Sequence, residues 1–341
     1  MPESNLTVAL TGPTGTFGFG LVPLLQADER IARVVGIARR PFDGNEHGWT
    51  KMTYRRGDVR DLAALEEAFQ GAEVVVHLAF MITGAASRET IRQINVQGTL
   101  NAFRAAAAVG ARRFVYASSV AAYGFHAENP QPLTEDVPAR GTAGHYYSEQ
   151  KAEVEELLAD TLHGSRTAAY VFRPCIVAGP DAPILIDSLP YSQISGRLPG
   201  PVLSMLEGLP ILKPVLPDPG VPFQLVHHDD VAGAMRAGVL GRGKPGVYNL
   251  AGPGQLTVKL LAEELGWYSI PVPELAVDAV AETIARLGFL PAQAQWIAAF
   301  REPVIMSTSK ARRELRWRPK HDALHTLRET ITATRMDRLI R

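Results

Sequence analysis

At 341 residues the chain can hold one large core with a satellite lobe, or two domains sharing a cleft. It is 46% hydrophobic, and 35 Lys and Arg balance 35 Asp and Glu, so no overall field draws it to nucleic acid or to an anionic membrane. No apolar run reaches the roughly 18 residues of a membrane span. Met1 to Asn5 lack the basic start of a signal peptide, and the lone Cys175 excludes a disulfide framework, so a cytoplasmic protein is expected.

Leu6–Thr11, Val34–Ala38, Val74–Ala79 and Arg113–Ser118 are short runs rich in Val and Ala, bounded by turn residues, and predict buried strands. Asp61–Phe69 and Arg88–Val109 carry apolar residues at helical spacing, Glu149–Asp160 predicts another helix, and Ala168–Arg173 the next strand. Strands separated by helices predict an α/β fold with a doubly wound parallel sheet covered on both faces. Beyond residue 175 prolines crowd the chain, at 180, 183, 190, 199, 201, 210, 214, 217, 219 and 222. Long helix and central strand are excluded there. The division expected is a dinucleotide-binding domain over 1–175, with returning segments near 223–250, and a smaller irregular substrate-binding lobe with C-terminal helices over 176–341. Ser309–His321 is basic but interleaved with Leu315 and Trp317, which predicts a solvated helix followed by a strand, not a nucleic-acid patch.

The first strand runs into Thr11-Gly12-Pro13-Thr14-Gly15-Thr16-Phe17-Gly18, and a helical pattern follows. Gly12 suits the tight turn, Gly15 admits a pyrophosphate to the backbone, and Gly18 lets helix pack on strand. The helix N-terminus, with Thr14, Thr16 and Phe17, then offers N–H groups to phosphates. At the end of the second strand stands Ala38-Arg39-Arg40-Pro41, without the carboxylate that would hold an unphosphorylated ribose. A guanidinium binds a 2′-phosphate, so NADP(H) is favoured over NAD(H).

Tyr147-Ser148-Glu149-Gln150-Lys151 sets a phenol and an ammonium on one helix face. A nearby cation favours phenolate, so Lys151 is expected to lower the Tyr147 pKa, and it can also hold the nicotinamide ribose. Ser118 and Ser119 end the fifth strand, at the edge where parallel sheets bind ligands, and Ser119 can orient a substrate oxygen towards Tyr147. A serine after a strand can equally be a plain helix cap.

These pieces occur in the order found in the extended short-chain dehydrogenase/reductases, which the chain resembles over almost its whole length. The match takes in Thr11–Gly18, Gly57-Asp58-Val59, His77-Leu78-Ala79, Asn95–Thr99, Ser118–Gly124, Tyr147–Lys151, Arg173-Pro174, Val226–Ala232, Tyr248-Asn249-Leu250 and the tail from Ser309 through Trp317. The resemblance implies a Rossmann-type fold and a catalytic set of Ser119, Tyr147 and Lys151. It implies Asp58 at the adenine, and Val59, Leu78, Ala79, Asn95 and Pro174 at the cofactor. It also implies a homodimer built on the Arg88–Val109 and Glu149–Asp160 helices.

Two departures bear on the substrate. Sugar-nucleotide members of that family commonly carry Asn after Arg-Pro, and Arg ahead of the Val-His segment; this chain has Cys175-Ile176 and Phe223. The candidate pocket residues are apolar: Phe80, Met81, Ile82, Tyr123, Phe125, Ile176, Ile184, Leu185, Tyr191 and Phe223. A small-molecule carbonyl or alcohol of hydrophobic character is therefore the expected substrate. A nucleotide-sugar epimerase or dehydratase and a non-catalytic NADP(H) sensor are the rivals. His126 is a candidate extra acid or base, with a plain surface histidine the alternative. For His227 and His228, adjacent side chains on a strand are expected to diverge, so no shared metal is expected.

Overall fold

The computed structural model describes residues 5–82, 86–162, 164–187, 189, 213–272 and 302–340. A seven-stranded, wholly parallel sheet forms the centre, in the order β10-β6-β5-β4-β1-β2-β3. Its strands are β1 (Leu6–Thr11), β2 (Ile31–Ala38), β3 (Met52–Arg56), β4 (Val74–His77), β5 (Arg113–Ala117), β6 (Ala168–Pro174) and β10 (Gly246–Leu250). Side chains alternate across it. Leu6, Val8 and Leu10 join one core with Leu21, Val22 and Leu25 of helix α1 (Thr16–Gln26) and with Val231 and Met235 of α7 (His228–Val239). Ala9 and Val75 face the other core, with Phe69 of α2 (Leu62–Phe69), Phe103 of α4 (Gly98–Ala108) and Leu158 of α5 (Tyr146–Leu162).

The helix expected as one piece over Arg88–Val109 has three parts. α3 (Arg88–Arg92) passes into a π-helical turn, Gln93–Gln97, before α4 begins. The wide turn buries Asn95, whose role is described below. β3 was not anticipated, because its sequence, Met-Thr-Tyr-Arg-Arg, is that of a half-exposed edge strand.

Outside the main sheet, β7 (Ile176–Ala178) pairs in parallel with β9 (Leu225–His227), and β8 (Val215–Asp218) with β11 (Tyr268–Pro271). A third core ties Ala178, Phe223, Leu225 and Leu185 of α6 (Ile184–Asp187) to α8 (Val258–Leu265) and α10 (Ala323–Ile340). Most of the proline-rich lobe, and Tyr191 with it, lies outside the described residues. The basic tail does form a helix, α9 (Ser309–Glu314), but no strand follows it among the described residues. Asp230 pins that segment instead: its carbonyl accepts from Trp317 Nε1, and its carboxylate accepts the N–H groups of Lys320 and His321.

Phe103 is fully buried and meets Phe114 edge-on, with ring centroids 5.4 Å apart. Phe103→Ala is expected to remove about 3–5 kcal/mol of stability, read as a lower urea midpoint. A loss below 1 kcal/mol would contradict this packing.

Candidate active site

The crevice begins where β1 gives way to α1. Gly12 has φ +71°, and a Cβ there would lie 3.0 Å from the Ala79 nitrogen, so the β1 and β4 loops touch through glycine alone. A Cβ at Gly18 would meet the Pro13 carbonyl oxygen at 2.1 Å, which fixes how closely α1 sits on its loop. Gly15 is the N-cap of α1 and offers no side-chain cap. The helix N-terminus is thus open to an anion beside the partly exposed Thr14, Thr16 and Phe17. This cradle fits a pyrophosphate.

The end of the crevice at β2 and β3 is basic. Arg39 and Arg40 are exposed at the end of β2. Arg56 Nε donates to the Arg39 carbonyl at 3.0 Å, and Arg60 grips Asp58 through Nε (3.0 Å) and Nη2 (2.7 Å). The Arg60 hydrogen bonds and charge hold the Asp58 carboxyl below its usual range. Arg56 and Arg60 were not singled out in the sequence; only the β2–β3 pairing and the turn after β3 bring them to Arg39 and Asp58.

A polar chain braces the β4 loop. Thr11 Oγ1 lies 2.8 Å from His77 Nδ1, and His77 Nε2 lies 3.0 Å from Thr99 Oγ1. Burial pushes His77 down to about 3, so it is a neutral strut. Thr11 Oγ1 also accepts from the N–H groups of Leu78 and Ala79. Asn95 accepts from Met81 N–H at 2.7 Å and donates to the Met81 carbonyl and to Gln150. Its amide is thereby committed to positioning the loop, which departs from a direct cofactor contact. Val59 likewise belongs to the core, while Pro174 is the buried last residue of β6.

The structure brings Ser119, Tyr147 and Lys151 together. Ser119 caps the 3-10 turn Val120–Tyr123 by accepting from Ala121 N–H, and it also hydrogen-bonds Tyr147. Ser148 Oγ donates to the Ala121 carbonyl, which docks the start of α5 on that turn. Lys151, buried at 2% exposure, donates to the Ala117 carbonyl (2.7 Å) and to Tyr116 Oη (3.2 Å). The Phe80 ring covers the ammonium at 3.6 Å and stands edge-on to Tyr147 at 5.6 Å.

The expected lowering of Tyr147 is not what this geometry produces. Burial dominates and raises it to about 12, against the opposing Ser119 hydrogen bond. Burial also lowers Lys151 to about 7, against the raising effect of Glu155. Tyr147 is therefore a neutral phenol, poised to donate a proton. Beneath the pair, Glu155 is bound by Arg173 and Ser118, and Arg173 lies 4.3 Å over the Tyr123 ring.

The apolar candidates divide. Phe80, Met81, Ile82, Phe125 and Ile176 are all part-exposed; Phe80 stands against Tyr147, whereas Met81 packs on the second core, Ile176 on the third and Phe125 against His145. Tyr123 is fully buried and donates to Asn249 Oδ1 at 2.8 Å, which puts it in the core and away from a substrate. Phe223 and Leu185 pack in the third core, and Ile184 is 41% exposed. His126 is a structural residue, with Nε2 2.6 Å from the Gly141 carbonyl. His227 and His228 do not diverge. β9 ends at His227 and α7 starts at His228, so strand alternation stops between them and the rings stack at 4.4 Å.

Lys151 gives a pH prediction. Its folded-state pKa of about 7 lies below the ordinary 10.5, so its burial costs most at and below pH 7 and nothing once both states are neutral. Lys151→Met should therefore raise the melting temperature of the cofactor-stripped protein, relative to wild type, most at pH 6–7. That difference should shrink as pH rises towards 10. A pH-independent difference would contradict the assigned shift.

The family model for the NAD dependent epimerase/dehydratase family matches residues 8–251, more than half of the chain. A 3beta-hydroxysteroid-dehydrogenase/decarboxylase isoform 2 of Arabidopsis thaliana is 31% identical over 205 residues, covering 57% of this chain and 36% of that protein. The N-acetyl-alpha-D-glucosaminyl-diphospho-ditrans,octacis-undecaprenol 4-epimerase of Escherichia coli O157:H7 is 29% identical over 178 residues, covering 51% of this chain and 50% of its own. The matched regions thus span a third to a half of these relatives. Among solved structures, a UDP-glucuronic acid 4-epimerase from Bacillus cereus in complex with NAD superposes with TM-score 0.71 at 17% identity, over 98% of this chain and 100% of that one. It shares the fold.

Proposed function

Because this chain belongs to the NAD dependent epimerase/dehydratase family, we propose that it is an NADP(H)-preferring oxidoreductase acting on an apolar carbonyl or alcohol. A bound nicotinamide supplies the hydride, or accepts it. The residues of the chain supply the rest. Ser119 and Tyr147 hold the substrate oxygen, Tyr147 donates the proton during reduction and takes it back during oxidation, and Lys151 anchors the ribose side of the site. With Tyr147 at about 12, the acid form is fully present at neutral pH, which suits reduction.

One observation carries the substrate class. The polar groups of the β4 loop are turned inward, on Thr11, Asn95 and Tyr146, and Met81 packs on the second core, so Phe80 and Ile82 offer mainly hydrocarbon to a ligand. Both relatives described above are named for molecules with a large hydrocarbon part, a steroid and an undecaprenol. The second of them supports an alternative, epimerisation of a diphospho-sugar without net change in the cofactor. A homodimer through the α3–α4 and α5 helices, and a cytoplasmic location for a chain whose lone thiol is buried, belong to the same proposal, as does the division near residue 175.

Two measurements test it. Changing Arg39 and Arg40 together to Ser should weaken NADPH binding tenfold or more, about 1.4 kcal/mol, and NADH binding less than threefold. Equal losses for both would overturn the 2′-phosphate assignment. Tyr147→Phe should cut NADPH-dependent reduction of a hydrophobic ketone by roughly 10²–10⁴-fold with cofactor affinity kept. Unchanged turnover would overturn the mechanism, and an isomerised sugar product without net NADPH loss would favour the epimerase.

A further inference from the structure

At the start of α7, four imidazoles form a column. His228 stacks on His227 at 4.4 Å, His227 on His321 at 3.9 Å, and His321 faces His325 at 5.6 Å. They come from the β9–α7 corner, the pinned tail and the first turn of α10, and nothing in the chemistry proposed above uses them. Glu329 of α10 completes the group. We propose that His227, His321 and Glu329 bind a divalent transition-metal ion, zinc by preference, which fastens α10 to the start of α7.

The donor atoms of these three residues all lie within 4.8 Å of one another. A tetrahedral zinc ion with bonds near 2.1 Å needs donors about 3.4 Å apart, and the stacked His227 and His321 rings must turn apart for both lone pairs to meet it. His227 Nε2 and Glu329 Oε2 already approach to 3.2 Å, and both are buried atoms without a hydrogen-bond partner. Because Nδ1 accepts from Asp229 N–H, the neutral ring carries its proton on Nε2, facing Glu329, and a metal ion would take the place of that proton. His227 is 3% exposed, so its ring is held in place by the packing around it.

The surroundings are those of a metal histidine. His321 Nδ1 lies 3.1 Å from Asp230 Oδ2, and Asp230 also accepts two backbone N–H groups. The ring proton is thereby held on Nδ1, which leaves the Nε2 lone pair for an ion. His227 Nδ1 now accepts from Asp229 N–H at 3.2 Å, while the Asp229 carboxylate stands 3.8 Å away. Metal at Nε2 moves the ring proton to Nδ1, where that carboxylate accepts it, and one helix cap is given up in exchange. The fourth position falls to water or to His325, whose Nε2 is 3.4 Å from Glu329 Oε1. His227, His228 and Asp229 form a second grouping of similar size, but Asp229 is 58% exposed and joins only one orphaned nitrogen, that of His228. Imidazole and carboxylate without thiolate suit zinc and its neighbours better than magnesium or calcium.

The test uses the full chain without a polyhistidine tag, stripped with EDTA and titrated at pH 7.5 with Zn²⁺ by calorimetry and with Co²⁺ by visible absorption. The expected result is one ion per chain at micromolar affinity or tighter, tetrahedral Co²⁺ bands, a raised melting temperature with Zn²⁺, and loss of binding below pH 6. Glu329→Gln and His321→Ala should each weaken binding by roughly 100-fold, and His126→Ala by less than threefold. Glu329→Gln keeps size and shape on a part-exposed helix face, so it reports even where His321→Ala does not fold. No saturable binding, binding untouched by Glu329→Gln, or loss in Asp229→Asn with Glu329→Gln unaffected would each overturn the assignment.

Discussion

Because every strand of the main sheet runs the same way, all its carboxyl ends must open on one edge. That direction does more for the site than any single contact. It gathers Gly12 from β1, Arg39 from β2, Asp58 after β3, Phe80 after β4 and Ser119 after β5, residues far apart along the chain. The strand order reverses between β1 and β4, and the crevice opens there. The loops of these two strands approach until only a glycine fits between them, at Gly12 against Ala79. The Thr11–His77–Thr99 brace lies directly beneath this approach and fixes the two strand ends relative to each other.

α5 brings the second constraint, burial of charge. Tyr147, Lys151 and Glu155 follow one another at four-residue spacing on one helix face. Glu155 is the natural counter-charge for Lys151, but Arg173 and Ser118 already engage it. Arg173 and Glu155 are 4% and 8% exposed, and such a buried pair is costly to break from either side, by roughly 3–5 kcal/mol. Lys151 therefore meets a carbonyl, a phenol and the Phe80 ring in place of a free carboxylate. Burial drives Lys151 down and Tyr147 up, each towards its neutral form.

Most of this sheet was legible in the sequence because its strands are buried on both faces and read as short apolar runs. β3 was not, since at the edge its residues are half polar. The π-helical turn at Gln93–Gln97 left no periodic signature, and with it the positioning role of Asn95 stayed hidden. Tyr147 and Lys151 share a helix face by their spacing, but only the ordered family resemblance singled the pair out, and the sense of the Tyr147 shift was not legible, because desolvation depends on Phe80, Tyr116 and the sheet around the pair. Tyr123 looked like a pocket residue from its place after β5, but Asn249 and Arg173, remote in sequence, draw it into the core. The histidines misled for a related reason. Alternation holds only while a strand continues, and β9 stops at His227.

The β4 loop shows how a polar backbone can present an apolar wall. Ala79 N–H is spent on Thr11, Met81 N–H and carbonyl on Asn95, and the Ile82 carbonyl accepts from Tyr146. With those groups satisfied from behind, the loop holds its shape, with the Phe80 ring over Lys151 and Met81 on the second core. Binding against such a wall follows buried area, and each added methylene is worth only about 1–3 kcal/mol. A surface of this kind selects for size and hydrophobicity and discriminates weakly among related molecules. Among the described residues, Ser119 and Tyr147 hydrogen-bond each other beside the Phe80 ring of this loop.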